Sequence, residues 1–310
     1  MEPLFFTLGC NDHLAKELAE ILHIEFSPDN VTHFADGETF ARPNVDVDGR
    51  DCFIIHSISR PVNERLMDLL IFLDGLHNGG ANHVSVIMPY FGYARQDREL
   101  QRGDPISGYL VIRLLQSVFV NEIACIDFHS QRLFNRFELD KTDLSAVDLL
   151  AQAVKKDLLA KGVSEDICCI SPDHGGKDRA IRFARSFPNS VTAYATKKRP
   201  EPNAAHIEEL HGDVNGKHCI IVDDICDTGG TLSEVIKTIR KEGALSIYVA
   251  VTHGVFSGPA IERLNAANLD GIYVTNTVEL LNRVNEINNV HIVSVAPILA
   301  DLLKPRLKGE

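Results

Sequence analysis

Positive charge is scarce in this chain of 310 residues, which has 31 Lys and Arg against 43 Asp and Glu and a formal net charge of −12 at pH 7. Nucleic-acid binding through phosphates needs a basic face, so this balance argues against it. Apolar runs of about 18 residues are also missing, and no membrane-spanning helix is expected. The opening residues, Met1–Phe6, lack the basic region and long apolar run of a secretory signal. A cytoplasmic location is therefore expected.

The cysteines lack the pattern of a disulfide framework or a zinc site. There are seven, an odd number, and no Cys-x-x-Cys spacing occurs. Most lie in apolar runs, such as Ile123–Asp127 and Cys219–Asp223. Buried free thiols in a reducing compartment are the interpretation that this pattern favours.

Two common nucleotide-binding motifs are absent. No Gly-x-x-x-x-Gly-Lys-Ser/Thr loop occurs, and the nearest stretch, Gly212–Lys217, is one residue too short. No Gly-x-Gly-x-x-Gly follows the first apolar run either, which weakens a dinucleotide-binding interpretation.

Short apolar, β-branched runs alternate with amphipathic helical stretches through both halves of the chain, a pattern typical of α/β domains with mostly parallel sheets flanked by helices. The length predicts two domains. We place them at 1–145 and 146–310, with the last helix, about 296–310, as a candidate to pack back on the first. The strand candidates are Pro3–Leu8, Cys52–His56, Val84–Met88, Glu122–Asp127, Asp166–Ile170, Val191–Ala195, His218–Asp223, Ser246–Val251, Gly271–Val274 and Val290–Val293. The helix candidates are His13–Leu22, Asn63–His77, Ser107–Val118, Ser145–Leu159, Gly176–Ser186, Thr231–Glu242, Gly258–Ala267 and Ala296–Leu303.

Ligands of such sheets bind beyond the carboxyl ends of the strands, so the loops after strands are the places to search. Two charged segments without periodicity, Tyr93–Pro105 and Thr196–Ala205, follow apolar runs directly. We predict that both are mobile active-site loops.

The strongest chemical signal lies in Cys219–Thr231. An apolar run leads to the adjacent acids Asp223 and Asp224, and the segment Asp227-Thr228-Gly229-Gly230-Thr231 then begins a helix. Glycines and threonines at a helix N-terminus offer N–H groups and hydroxyls to an anion. Carboxylates beside them can accept hydrogen bonds from sugar hydroxyls. The segment therefore predicts a sugar-phosphate site, and the alternative is a simple helix cap beside two solvated acids.

Five further motifs occur with this one in a fixed order: Phe34–Glu38, Met88–Arg98, Asp127–Gln131, Ser171–Gly176 and Lys197–Asn203. Together they resemble the ribose-phosphate diphosphokinase family, also called phosphoribosyl pyrophosphate synthetases. The resemblance runs from about residue 4 to about residue 303. It implies two type I phosphoribosyltransferase-like domains and the transfer of the diphosphoryl group of Mg-ATP to the C1 hydroxyl of ribose 5-phosphate.

The resemblance also assigns roles to individual residues. Lys197 and Arg199 stabilise the transition state, and His129 and Asp173, one from each half of the chain, bind Mg²⁺ and orient the polyphosphate. Asp173, His174, Gly175 and Gly176 form a pyrophosphate loop, in which His174 replaces a residue that is commonly small. The ATP-binding residues are Phe34, Asp36, Glu38, Arg95, Gln96, Arg98 and His129. The ribose 5-phosphate residues are Asp223, Asp224, Asp227, Thr228, Gly229, Gly230 and Thr231.

The same resemblance bears on assembly. In the family, the hairpin around Phe34, Asp36 and Glu38 reaches into the site of a neighbouring subunit. A homodimer is therefore the expected minimum, and a hexamer is plausible because family members often assemble further. ATP and ribose 5-phosphate are the expected partners.

Two rival functions remain open at this point. A nucleobase phosphoribosyltransferase shares the Asp223–Thr231 motif, but it needs neither Arg95–Arg98 nor the hairpin at 34–38. A non-catalytic regulatory homologue would have damaged catalytic loops, yet Lys197 and Arg199 are present and the 227–231 segment is uninterrupted. Release of AMP from ATP and ribose 5-phosphate separates the first rival from a diphosphokinase.

The chain departs from phosphate-activated members of the family in one region. Where many of these carry Ser-Val-Arg-Gly, this chain has Asp46-Val47-Asp48-Gly49, and His77-Asn78-Gly79-Gly80 stands where Lys-Arg-Ala-Ser is usual. Glu99 and Gln101 also replace commonly basic residues. We therefore expect activity without inorganic phosphate. The alternative is that Asp46 and Asp48 face solvent and that other groups, such as Arg50, build an anion site.

Overall fold

The computed structural model describes residues 2–201, 204–279 and 282–307, with the side chains of 197–201, 204–206 and 282–283 excepted. The chain divides into two units. Unit 1 comprises residues 1–145, 277–279 and 294–310, and unit 2 comprises residues 146–276 and 280–293. No helix in the described ranges is long and apolar enough to cross a membrane.

Unit 1 contains a parallel sheet with the strand order β1-β4-β5-β6-β7 and a separate antiparallel pair, β2 with β3. Its strands are β1 (Leu4–Phe6), β2 (Asp29–His33), β3 (Thr39–Pro43), β4 (Asp51–Ile55), β5 (His83–Met88), β6 (Glu122–Ile126) and β7 (Asp140–Leu144). Its helices are α1 (Asp12–Leu22), α2 (Val62–Asn78), α3 (Ser107–Ser117), α4 (Gln131–Phe134) and α9 (Ala296–Leu307).

Unit 2 contains a sheet with the order β10-β9-β8-β11-β12-β13-β14, parallel except for the antiparallel pair of β9 and β10 at its edge. Its strands are β8 (Ile167–Ser171), β9 (Val191–Glu201), β10 (Ala204–His211), β11 (His218–Cys226), β12 (Ser246–Gly254), β13 (Gly271–Thr275) and β14 (Val290–Val293). Its helices are α5 (Val147–Ala160), α6 (Lys177–Ala184), α7 (Gly230–Lys241), α8 (Ala260–Ala266) and a 3-10 helix at Asn282–Glu286.

Helices cover both faces of the unit 2 sheet, which explains why the sequences of its strands are continuously apolar. Successive side chains of a strand point to opposite faces. Ile221 accordingly packs in one core with Val235 of α7, and Ile220 packs in the other with Leu150 and Val154 of α5. The predicted α/β class with mostly parallel sheets is confirmed.

Two local predictions are wrong. The predicted loop 196–205 is strand over its described residues, because 196–201 form the end of β9 and 204–205 form the start of β10. The apolar part of β9 ends near Ala195, and its charged continuation is held in strand conformation by pairing with β10, for example Lys197 with Ile207. The strand predicted at His218–Asp223 is longer in the structure, because β11 continues to Cys226 and pairs with β12 there, so Asp224 also lies within it. By contrast, the segment between β5 and α3 has no helix or strand, as the sequence predicts for 93–105.

Candidate active site

The loop 34–38 of unit 1 stands at the tip of the β2–β3 hairpin. The N–H of Phe34 donates to the carbonyl of Glu38 (2.8 Å), and the N–H of Glu38 donates to Oδ1 of Asp36 (3.1 Å). These bonds fold the loop, and its side chains remain outside: Phe34 is 57% exposed, and Asp36 and Glu38 are also exposed. An exposed aromatic ring followed by two acids suits a base, because the ring can stack on the base and the carboxylates can accept hydrogen bonds from it.

The segment after β5 presents Arg95, Gln96 and Arg98, all exposed. The N–H of Gly108 donates to the carbonyl of Gln96 (3.2 Å), and Oε1 of Gln96 accepts from the Ser107 hydroxyl. Gln96 is thereby fixed against the start of α3.

Asp97 joins this segment to the one after β6. The strands β5 and β6 are parallel neighbours, so the segments that follow them lie at the same sheet edge. Asp97 accepts from Nε of Arg98 (2.9 Å) and from the hydroxyl of Ser130 (2.9 Å). Burial raises the pKa of Asp97, but these hydrogen bonds and the nearby charges of Arg98 and His129 outweigh it and hold the pKa below its usual value. The exposed His129 lies beside Ser130, so the fold brings Arg95–Arg98 and His129 to one edge.

In unit 2, two loops flank the point where the strand order reverses. From β8, the chain continues to β9 on one side, while β11 and β12 lie on the other. Such a reversal opens a crevice at the carboxyl ends of the strands, where α/β sheets bind ligands. The loop after β8 carries the predicted pyrophosphate residues, and the end of β11 with the turn after it carries the predicted sugar-phosphate residues.

The loop after β8 is held tightly by its own groups. The Ser171 hydroxyl donates to the carbonyl of Asp173 (2.6 Å), and the N–H of Gly176 donates to Oδ1 of Asp173 (3.1 Å). A Cβ at Gly176 would lie 2.6 Å from Oγ of Ser171, so a side chain there would displace this hydroxyl from the loop. His174 and Gly175 are exposed at the turn, which leaves the loop open to an anion.

The acid pair on β11 has a partner that the sequence prediction missed. Nη1 of Arg179 lies 3.3 Å from Oδ1 of Asp223, and Nη2 lies 3.4 Å from Oδ2 of Asp224. Burial raises the pKa of Asp223 well above its usual value, and the charge of Asp224 adds to this, while Arg179 opposes both. Arg179 could have been found from the pairing of β8 with β11. Because α6 follows β8, this pairing brings the start of α6, where Arg179 lies, beside the end of β11.

The segment 227–231 forms the turn into α7. Gly229 is the N-cap with a φ of +70°, a left-handed conformation that favours glycine, and α7 begins at Gly230. The carbonyl of Thr228 accepts from Nη1 of Arg263 (2.9 Å), which brings a guanidinium from α8 to the loop. Asp227 is half-buried, Thr228 is exposed and Thr231 is half-buried. Free N–H groups of a first helical turn beside a guanidinium suit a phosphate.

The predicted catalytic residues Lys197 and Arg199 lie on β9. Their side chains lie outside the described part of the structure. Their strand is the direct neighbour of β8, the strand that precedes the Asp173–Gly176 loop.

The predicted metal ligands are divided, with His129 in unit 1 and Asp173 in unit 2. Within the described ranges, no group of three or more His, Cys, Asp or Glu side chains could hold a metal ion by itself. Mg²⁺ is usually held by one or two carboxylates together with water and substrate phosphates. The half-buried carboxylate of Asp173 fits such a role.

Comparisons with known proteins agree on one family. The model for the N-terminal domain of ribose phosphate pyrophosphokinase matches residues 4–118, and the model for the phosphoribosyl synthetase-associated domain matches residues 171–310. A ribose-phosphate pyrophosphokinase of Bacillus caldolyticus is 38% identical over 298 residues, which cover 96% of this chain and 92% of the relative. The enzyme of the same name from Bacillus subtilis is 36% identical over the same shares.

A solved structure extends the likeness to three dimensions. The phosphoribosylpyrophosphate synthetase of Mycobacterium smegmatis superimposes with a TM-score of 0.90 at 30% sequence identity, and the match covers 100% of both chains.

Proposed function

Because this chain belongs to the ribose-phosphate pyrophosphokinase family, we propose that its two units divide the substrates of that reaction between them. The protein is a transferase: it moves the diphosphoryl group of ATP to the C1 hydroxyl of ribose 5-phosphate, giving 5-phosphoribosyl 1-pyrophosphate and AMP. The C1 oxygen bonds to the β-phosphorus and its proton is released to solvent, the bond from that phosphorus to the α-phosphate oxygen breaks, and AMP leaves with that oxygen.

Unit 2 binds the sugar phosphate in this proposal. The observation that best supports this assignment is the acid pair Asp223 and Asp224, which Arg179 holds beside a glycine turn at the start of α7. The carboxylates accept hydrogen bonds from the ribose hydroxyls. The turn formed by Asp227, Thr228, Gly229, Gly230 and Thr231 binds the 5-phosphate through its N–H groups and hydroxyls. Arg263 adds positive charge beside Thr228.

Unit 1 binds the nucleotide. Phe34 stacks on the base, while Asp36 and Glu38 accept from its amino group or from its ribose. Arg95 and Arg98 bind phosphate oxygens, and Gln96, fixed by Ser107, contacts the base edge. His129 lies at the same sheet edge, which supports a role for it in binding the polyphosphate.

The chemistry rests on positioning and electrostatics. Mg²⁺ bound with ATP would neutralise phosphate charge, and His129 of unit 1 and Asp173 of unit 2 are each a candidate ligand for it. Asp173, His174, Gly175 and Gly176 form the loop that receives the diphosphate. Lys197 and Arg199 on β9 stabilise the charge that develops during transfer.

The proposal includes a homodimer as the smallest active assembly, with larger assemblies such as hexamers built from it. The loop 34–38 supports this, because its exposed side chains are available to a second copy. It also includes a reducing, cytoplasmic setting, which the seven buried free thiols support.

The direct test is an assay for AMP with ATP and ribose 5-phosphate as the only substrates and no nucleobase. Lys197→Ala should lower kcat by about 10²–10³-fold and change KM much less, because its charge is needed mainly in the transition state. Lys217→Ala is a suitable control, since Lys217 pairs with Asp213 in the loop before β11. An unchanged kcat in Lys197→Ala would remove this residue from the mechanism, whereas absence of AMP with the native chain would contradict the activity itself.

A further inference from the structure

The hairpin of β2 and β3 forms no hydrogen-bonded sheet with the other strands of unit 1 that the structure describes. It is a two-stranded sheet that is separate from the parallel sheet of unit 1. An isolated two-stranded hairpin is only marginally stable in water, so its orientation depends on what it packs against. It packs against α2, where Gly75 faces the backbone of Ala41 on β3.

One buried carboxylate of α2 contacts both strands of this hairpin. The Asp68 side chain is 3% exposed, and its Oδ1 lies 2.9 Å from Nε2 of His33 on β2 and accepts from the Thr39 hydroxyl on β3 (3.1 Å). Since a carboxylate oxygen accepts, Nε2 of His33 carries the hydrogen in this contact. No motif in the sequence points to Asp68.

The two donors occupy a special place in the hairpin. His33 and Thr39 face each other in the β2–β3 register, and they are the last pair before the loop 34–38. A single oxygen atom therefore fixes both ends of this loop to α2. A displacement of either end would move Phe34, which directly follows His33.

We propose that Asp68 is a positioning residue for the nucleotide: it holds the loop 34–38 in its binding orientation through His33 and Thr39 without touching the ligand itself. This inference rests on the proposed role of the loop in ATP binding. It adds a residue of α2 to the set that determines affinity for ATP and leaves the sugar-phosphate residues of unit 2 independent of it.

The surroundings of Asp68 allow the hairpin to move once this contact is lost. A cavity of about 350 Å³ lies beside His33 and Asp68, and Asp29 and Arg65 also line it. These two charged groups are engaged elsewhere, since Asp29 accepts from the N–H of Leu8 (3.2 Å) and Arg65 pairs with Glu279 (3.5 Å). The side chain of His33 thus has free space into which it can turn.

The first arm of the test is kinetic. Asp68→Leu removes the acceptor at similar volume and should raise KM for ATP about tenfold with kcat changed much less, because the loop binds but does not react. Asp68→Asn keeps a carbonyl oxygen at the same place and should restore most of the affinity. KM for ribose 5-phosphate should stay as in the native chain. Asp74→Leu, at an exposed site of the same helix, is the control.

The second arm reports on the loop without ATP. The chain has no tryptophan, so Phe34→Trp places a single fluorophore on the loop. Adding Asp68→Leu to this variant should lower the fluorescence anisotropy and increase quenching by acrylamide. Thr39→Val should give a smaller change alone and no further change with Asp68→Leu.

The outcomes distinguish the positioning role of Asp68 from the role of the loop 34–38 in ATP binding. Unchanged anisotropy and quenching would overturn the positioning role of Asp68. Greater loop motion with an unchanged KM for ATP would instead overturn the assignment of loop 34–38 to the nucleotide. Parallel losses of kcat, of affinity for both substrates and of thermal stability, without rescue by Asp68→Asn, would reduce Asp68 to a structural residue and also overturn the proposal.

Discussion

His56 shows what burial does to a single titratable side chain of unit 1. It directly follows β4, has no exposed surface, and its Nε2 donates to the carbonyl of Arg65 (2.9 Å). Burial lowers its pKa from 6.5 to about 4; the hydrogen bond to the Arg65 carbonyl opposes this shift, and the charge of Arg65 adds to it. The folded chain therefore holds the neutral imidazole, whereas the unfolded chain takes up a proton below pH 6.5.

This difference predicts a pH dependence of stability. Between pH 6.5 and pH 4 the unfolded state binds more protons, so the free energy of unfolding falls as the pH falls, by about 3 kcal/mol for this group. The variant His56→Gln keeps a donor for the Arg65 carbonyl and cannot titrate. Its thermal midpoint should fall less than that of the native chain between pH 7 and pH 4.5. His13→Gln, at an exposed site of α1, should retain the native slope; equal slopes in all three proteins would refute the assignment.

Arg179 governs a second titration, that of the acid pair in unit 2. Since burial and Asp224 raise the pKa of Asp223, the accepting carboxylate is lost at a higher pH than in an ordinary aspartate. Arg179→Met removes the charge that opposes this shift, so the pKa should rise further. The acidic limb of kcat/KM for ribose 5-phosphate should then move to higher pH.

The matched control for this measurement is Arg182→Met, because Arg182 lies on the same helix and pairs with Asp148 instead (2.6 Å). The phosphate of the substrate also titrates in this range, but its titration is common to all the enzymes compared. An acidic limb at the same pH in Arg179→Met and Arg182→Met would show that Arg179 does not tune the pair.

At the level of the elements, the sequence predicts strands that produce an apolar run and motifs whose residues are contiguous. The apolar runs locate β4, β5, β11 and β12 because both faces of each strand are buried. The acids 223–224 and the glycine turn 227–231 can also be recognised from the sequence, because they lie within one short segment.

Contacts between distant segments could not be predicted in this way. Arg179 lies 44 residues from Asp223, and their contact requires β8 and β11 to be neighbours. His33 and Asp68 are 35 residues apart, and their contact requires the hairpin to lie on α2. The strand β10 and the charged end of β9 were also missed, because pairing between two strands, rather than burial, defines them.

At the scale of the whole chain, unit 1 is built from both chain ends. The helix α9 packs against α1. Arg306 of α9 pairs with Glu122 of β6, and the Ser294 hydroxyl donates to Glu17. The first strands and the last helix thus belong to one unit, while all the residues assigned to the sugar phosphate belong to the other.

The two departures at 46–49 and 77–80 lie together on unit 1. The N–H of Gly49 donates to the carbonyl of Gly80 (2.8 Å), and a Cβ at Gly80 would collide with Oδ1 of Asp48. The segments 46–49 and 77–80 therefore share one surface, on which Asp46 and Asp48 are exposed. Arg50, the cation next to them in sequence, donates through Nε to the carbonyl of Glu2 (2.8 Å).

This surface is unsuited to an anion, and the last prediction concerns phosphate. A unit charge pair at 4 Å contributes roughly 4 kcal/mol at an effective dielectric constant near 20, and a millimolar affinity amounts to about the same. A carboxylate in place of a cation therefore removes most of such an affinity. We expect full activity in phosphate-free buffer, and ADP inhibition that saturating ATP relieves. Steady-state assays with and without phosphate decide this: strong activation by phosphate, or ADP inhibition that persists at saturating ATP, would show that other groups build an anion site.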